Sequence, residues 1–305
     1  MTIRKVAVLG LGRMGSLMAK RLLGHDWQVR VWNRSPDKMK AVEDEGAIGA
    51  ASAAEAVADC DVVITMLENG PVVEEVLFGE HHQVAGAMKA GAMVIDMSSI
   101  PPEMARDHAQ RLSALGLQYL DAPVSGGTKG AEEGTLAILC GGEAPVVETA
   151  KPVLSLLGKV THVGPNGCGQ LTKLCNQVIV AVSIGAVSEA LLLASAGGAD
   201  PVAVREALQG GFADSRILRE HGKRMLDRQW VPGGSTRHQV KDLDAVQHVA
   251  NELGMRLPLL EETRALFRQM HEDGKGNFDH ASLLLELERL NPPHRVGENP
   301  DQCPR

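Results

Sequence analysis

The chain has 305 residues, 44% of them apolar and 23% charged, the balance of an ordinary soluble globular protein with one large or two ordinary domains. A net charge of −7 with no basic run argues against nucleic acid or another polyanion as partner. Five scattered cysteines (Cys60, Cys140, Cys168, Cys175, Cys303) lack paired spacing, which predicts reduced thiols and a cytoplasmic setting. The chain enters a strand at once, so no secretory leader is expected. His81-His82 has no metal-ligand spacing, and no metal site is expected.

Lys5-Val6-Ala7-Val8-Leu9 reads as a strand, and a helical run over 16–23 follows it closely. Between them stands Gly10-Leu11-Gly12-Arg13-Met14-Gly15, which is G-x-G-x-x-G in its dinucleotide-binding context. Gly10 suits the tight turn, Gly12 the close approach of a pyrophosphate, and Gly15 the packing of helix on strand. The helix N-terminus offers N–H groups to the phosphates. A plain glycine-rich turn is the competing reading, and strand, spacing and helix together weigh against it. The second strand, 29–32, ends in Asn33-Arg34-Ser35 where an acid would select NAD. Arg34 can meet a 2′-phosphate, so NADP(H) is expected as the preferred cofactor, with NAD(H) possible. Alternatively, Arg34 is a solvated charge stacked on adenine.

Further strands are predicted at 61–66, 93–96, 118–121, 136–140 and 160–163. Helices such as 36–45, 53–58, 101–115 and 144–157 lie between strands, a βαβ alternation that implies a largely parallel, doubly wound sheet. Gly164-Pro165-Asn166-Gly167 breaks the pattern. Residues 167–196 then read as one helix of about 45 Å. It is apolar over most of its surface, which predicts burial between domains or subunits rather than a membrane span. Asp200-Pro201 caps a helix over 201–209. Others are expected at 215–228, 236–254, 258–273 and 279–290, the last capped by Asp279. The tail, 291–305, carries four prolines and is expected to be disordered. The fold class is therefore α/β: a Rossmann-type domain (1–164), then an all-helical domain (165–290) joined through the long helix. Ligands of such proteins usually lie in a cleft between domains.

The long helix carries Lys173 and Asn176 at i and i+3, on one face, with Gln177 beside them. A lysine on so apolar a helix is expected to be partly desolvated, which draws its pKa towards neutrality and suits acid–base work on a carbonyl or alcohol. A lysine snorkelling from a helix end is the bland alternative. Asp121-Ala122-Pro123-Val124-Ser125-Gly126-Gly127 follows a strand end, where open α/β sheets bind ligands. Ser125 with the N–H groups of Gly126 and Gly127 makes a carboxylate nest, or else a structural turn. Lys241-Asp242-Leu243 by itself reads as a solvated helix face. Cys175 reads as core.

Four motifs in this order, GLGRMG, DAPVSGGTKGA, GCGQLTKLCNQ and KDL, resemble the β-hydroxyacid dehydrogenases from the first strand to about residue 290. The resemblance implies Lys173 as catalytic acid–base and Asn176 as its partner in substrate binding. It implies Ser125, Gly126 and Gly127 on the substrate carboxylate, and Lys241 reaching the nicotinamide side from the helical domain. Met66, Leu67 and Ser99 would line the cofactor with the glycine loop. Homodimers or homotetramers built through the long helix are also implied. The segments 210–215, 241–243 and 279–282 look most similar to the branch that reduces tartronate semialdehyde to glycerate, with oxidation of 3-hydroxyisobutyrate or another 3-hydroxy acid as the close alternative. Two departures stand out. Glu68 replaces a proline common in relatives, and Asp214 places an acid in a segment expected near the substrate, where it would select a hydroxylated or amino group. Imine reduction and a non-catalytic NADP(H) sensor are the readings from other classes, and Lys173 with the Ser-Gly-Gly loop counts against both.

Overall fold

The computed structural model describes residues 5–25 and 27–304. In chain order the first elements are β1 (Lys5–Leu9), α1 (Gly15–Leu23), β2 (Gln28–Trp32), α2 (Asp37–Glu43), β3 (Ile48–Gly49), α3 (Ala53–Val57), β4 (Val62–Thr65), α4 (Gly70–Phe78), α5 (Val84–Ala87) and β5 (Met93–Asp96). Next come α6 (Pro102–Ala114), β6 (Gln118–Asp121), β7 (Val124–Ser125), α7 (Gly127–Glu133), β8 (Leu136–Gly141), α8 (Ala144–Leu154) and β9 (Gly158–Gly164). The remainder is helical: α9 (Cys168–Ala196), α10 (Pro201–Leu208), α11 (Arg216–Asp227), α12 (Thr236–Glu252), α13 (Pro258–Met270) and α14 (Leu283–Leu290). By compactness the chain divides into residues 1–173 and 174–305. That division falls inside α9, beyond the glycine break read from the sequence.

In the first unit the strands run β3-β2-β1-β4-β5-β6, all parallel, the order of a dinucleotide-binding sheet. Valine-rich strands fit because both faces are covered. Val6, Val8, Val62 and Ile64 pack on one side, while Ala7, Leu9, Val63 and Val94 pack on the other. Beyond β6 the sheet changes direction. β8 runs antiparallel to β6 and β7 along one edge and pairs in parallel with β9 along the other. The two shortest strands, β3 and β7, hold two residues each and carry no period to read.

The second unit is helical around Leu174, Ala181, Ile184, Leu191, Trp230, Leu243, Phe267 and Leu284. Burial of α9 is less complete than its composition suggests. Ile179 is 67% and Leu193 75% exposed, and Cys175, expected in the core, is exposed. Helix α9 is also long and apolar enough to cross a membrane by length and composition.

The tail departs from the expected disorder. Gln302 pairs with Gln229, and Trp230 N–H donates to the Gln302 carbonyl at 2.9 Å. Arg228, 1% exposed, draws the tail in. It is held by Glu288 at 2.7 Å and by Asp301 at 2.7 Å, and Trp230 Nε1 donates to the same Asp301 oxygen. A buried guanidinium requires paired anions, and the tail supplies one. Prolines stop it from forming a helix without stopping it from packing.

Asp279 caps a 3-10 turn, His280–Ser282, that leads into α14, rather than an α-helix starting at 279. It is fully buried. Oδ2 accepts the N–H groups of Gly233 (2.8 Å) and Gly234 (3.3 Å), and Oδ1 accepts that of Ala281 (3.0 Å). Arg224 Nη1 lies 3.6 Å from Oδ2. His221 Nδ1 is 3.8 Å from Oδ1, and its ring meets that of His280 edge-on. Burial pushes the carboxyl up, but the imidazoles of His221 and His280 and the backbone donors of Ala281 and Gly233 outweigh it and bring the pKa down to about 2. A depressed carboxyl stabilises the fold above the unfolded value of 3.8 and loses that contribution as pH falls towards about 2. Asp279→Asn should therefore cost about 2 kcal/mol near neutral pH and flatten the acid limb of stability. Urea unfolding across that acid range checks this; equal steepness in both proteins would exclude the carboxylate as its source.

Candidate active site

The glycine loop has the shape a dinucleotide requires. Gly10 takes φ +98°, and a Cβ there would lie 2.5 Å from the Met66 carbonyl oxygen. At Gly15 a Cβ would lie 2.0 Å from the Gly10 carbonyl oxygen, so α1 sits directly on the turn. Gly12 is exposed, and a Cβ there would meet nothing within 4 Å. The open side of the loop is thus the side a pyrophosphate would approach. Met14, at the cap position of α1, gives no side-chain hydrogen bond to the helix. Asn33 braces the loop from β2: its Oδ1 accepts Leu11 N–H at 2.9 Å and its Nδ2 donates to the Ser35 carbonyl at 3.0 Å. The Asn33 side chain is therefore taken up by the protein, while Arg13, Arg34 and Ser35 are exposed around the loop. These residues fit a nicotinamide dinucleotide.

Met66 and Leu67 leave the end of β4 beside this loop and are half-buried. Leu67 N–H donates to Ser98 Oγ at 2.9 Å, which joins the loop after β4 to the loop after β5 that carries Ser99. Ser125 ends β7, and Gly126 and Gly127 follow with φ +134° and +63°, conformations that favour glycine. Gly127 is exposed, and Ser125 and Gly126 are half-buried.

Helix α9 places Lys173, half-buried, one turn before Asn176. In the second unit the structure links Asn176 to a network that sequence reasoning saw only in part. Asn176 Nδ2 donates to Gln177 Oε1 (2.9 Å), and Gln177 Nε2 donates to Asp242 Oδ2 (2.6 Å). Lys241 Nζ lies 3.6 Å from Asp242 Oδ1. The Lys-Asp pair on α12 is thus more than a solvated face: its acid orients the amides of α9, and Leu243 beside it is buried. Asp214 is committed to Arg219 in a two-point pair, which holds its carboxyl below the usual range. Asp214 therefore stands as one half of an ion pair rather than as a lone carboxylate.

Sequence reasoning missed Asp121 and Gln170. Both are buried, and both hold the start of α9. The available signal was an acid at the C-terminal end of a strand and an amide one turn before Lys173.

Comparison with known proteins agrees with this layout. Residues 5–164 match the NAD binding domain of 6-phosphogluconate dehydrogenase, and residues 167–287 match the NAD-binding domain of NADP-dependent 3-hydroxyisobutyrate dehydrogenase. The chain belongs to the β-hydroxyacid dehydrogenases. It is 44% identical, over 94% of its length and 98% of the relative's, to 2-hydroxy-3-oxopropionate reductase of Escherichia coli K12. It is 34% identical to a probable mitochondrial 3-hydroxyisobutyrate dehydrogenase-like protein of Arabidopsis thaliana, over 94% of this chain and 86% of that one. The solved 3-hydroxyisobutyrate dehydrogenase of Mycobacterium tuberculosis, described with L-serine, superposes with a TM-score of 0.85 at 30% identity. That match covers 94% of this chain and 99% of the other. This member of the family is therefore an NAD(P)-dependent oxidoreductase with the expected α/β and helical parts.

Two glycines of the loop allow binding to be separated from folding. Gly12→Ala should leave stability within about 0.5 kcal/mol, as for a surface change, while weakening NADPH binding about tenfold or more, or about 1.4 kcal/mol. Gly15→Ala should destabilise the fold by about 1–3 kcal/mol through overpacking. Fluorescence titration with NADPH beside thermal unfolding distinguishes the two, and unchanged NADPH affinity in Gly12→Ala would move the pyrophosphate elsewhere.

Proposed function

We propose that this enzyme is an NADP(H)-preferring reductase of a small carboxylate-bearing aldehyde, tartronate semialdehyde (2-hydroxy-3-oxopropionate), yielding D-glycerate. The observation that carries this reading is the 44% identity to the Escherichia coli reductase of that substrate along 94% of the chain. Exposed Arg34, at the end of β2 where an acid would select NAD, supports the phosphorylated cofactor. The second reading is oxidation of 3-hydroxyisobutyrate or another 3-hydroxy acid, favoured by the relatives that bear that name.

When bound, the reduced dinucleotide supplies the hydride. The chain's own residues do the rest. Ser125 and the N–H groups of Gly126 and Gly127 hold the substrate carboxylate, an anion suited to a glycine turn. The Lys173 ammonium donates a proton to the aldehyde oxygen as its carbon is reduced, and in the reverse direction the neutral amine accepts it. Asn176, fixed through Gln177 and Asp242, holds the substrate oxygen, and Lys241 on the same network joins it in binding. Gly10 to Gly15, Asn33, Arg34, Ser35, Met66, Leu67 and Ser99 form the cofactor's bed.

We further propose a nucleotide domain over 1–164, a substrate domain over 165–290 and a cytoplasmic setting in which the five free cysteines stay reduced. The exposed apolar side chains of α9, Leu171, Ile179 and Leu193, suit a homodimer or homotetramer contact.

Steady-state NADPH oxidation with tartronate semialdehyde, run beside NADP⁺ reduction with 3-hydroxyisobutyrate and D-glycerate, tests the substrate. Turnover should be fastest on the semialdehyde. Lys173→Ala should lower kcat about 10²–10⁴-fold and leave NADPH affinity unchanged. Faster turnover on 3-hydroxyisobutyrate would replace the substrate, and an active Lys173→Ala would replace the acid.

A further inference from the structure

Helix α9 begins at Cys168, shortly after β9, and two buried side chains decide how its first turn is seated. Asp121, at the end of β6, is fully buried. It accepts Gly167 N–H at 2.8 Å and Gln170 N–H at 3.0 Å. Close backbone contact leaves no slack there: a Cβ on Gly169 would lie 2.4 Å from the carbonyl oxygens of Asp121 and Leu139.

Gln170, 1% exposed, reaches outward from this first turn. Its Oε1 accepts Ile100 N–H at 3.2 Å, and its Nε2 donates to the Ser98 carbonyl at 2.8 Å. The two backbone groups flank Ser99. The network continues from Ser98. Ser98 Oγ accepts Leu67 N–H at 2.9 Å, and Ser98 N–H donates to Asp96 Oδ1 at 2.9 Å. The same Asp96 oxygen accepts the Thr65 hydroxyl at 2.7 Å. One side-chain amide therefore ties the first turn of α9 to both loops that bear Leu67 and Ser99. Gln170 precedes Lys173 by three residues, on the same helical face, about 4.5 Å back along the axis.

We infer that Gln170 is a positioning residue: it sets the distance and direction of Lys173 relative to the loops that line the cofactor. This inference rests on the acid–base reading of Lys173. An apolar side chain would fill the same space. The amide uses its donor and its acceptor at once, both on backbone that cannot swing away, so it fixes direction as well as contact. A displacement of about 1 Å at a reacting group can cost about 10²-fold in rate, which gives such a bond kinetic weight.

Gln170→Met keeps the volume and removes both bonds. Gln170→Glu keeps the shape, and its carboxyl can replace the amide only when protonated. With tartronate semialdehyde, Gln170→Met should lose about tenfold to a hundredfold in kcat. KM and NADPH affinity should change little, and the isotope effect from 4-deuterated NADPH should rise as hydride transfer becomes limiting. Gln170→Glu should gain more kcat than wild type as pH falls, so that the ratio of the two rates approaches one at low pH. Should Gln170→Met fail to fold, the pH profile of Gln170→Glu carries the test. Loss of thermal stability with kcat and isotope effect unchanged would make Gln170 purely structural and overturn the inference. Lys173→Ala run alongside separates the two ideas. An inactive Lys173→Ala with fully active Gln170 variants sinks positioning alone, whereas an active Lys173→Ala sinks the acid–base role on which positioning rests.

Discussion

Helix α9 takes its starting register from a buried carboxylate. Asp121 ends β6 as a buried acid, where burial pushes its pKa up, and it is tolerated there because amides at the start of α9 point at it. The free N–H groups and partial positive charge of a helix start are what such an acid needs. Sheet and helix thus satisfy each other's polar ends, and the first turn of α9 takes its place from that meeting point. Lys173, one turn further along, inherits its place from it.

A second constraint acts at the glycine loop. Gly15 brings α1 within contact distance of the Gly10 carbonyl, and Gly10 lies against the end of β4. The ends of β1 and β4 and the start of α1 therefore converge at these glycines, and Asn33 after β2 braces the loop through Leu11 N–H. Gly12 alone faces open space. Two glycines of one short motif are needed for packing and the third leaves its backbone open, which is why the spacing is so informative.

Buried charges elsewhere follow the same rule of local payment by partners. Arg228 holds Glu288 and Asp301, and Asp279 gathers three N–H donors and a nearby arginine. Both organise irregular chain: the proline-bearing tail in one case, the turn before α14 in the other. Asp214 with Arg219 is the exposed counterpart, where solvent weakens the pair and its role is to occupy a carboxylate.

Much of this protein was legible in its sequence because the signals are local. Alternating apolar runs and helical periods gave the order of elements, and the glycine spacing marked the dinucleotide loop. The i and i+3 spacing put Lys173 and Asn176 on one face. What local pattern could not carry depends on distant residues. The pairing of Gln177 with Asp242, the hold of Gln170 on Ser98 and Ile100, and the capture of the tail by Arg228 each join residues 65 to 73 positions apart. Two-residue strands such as β7, and the antiparallel turn of β8, likewise exist only through their neighbours. Buried polar atoms must find partners wherever the chain brings them, and only the tertiary fold decides which ones they meet.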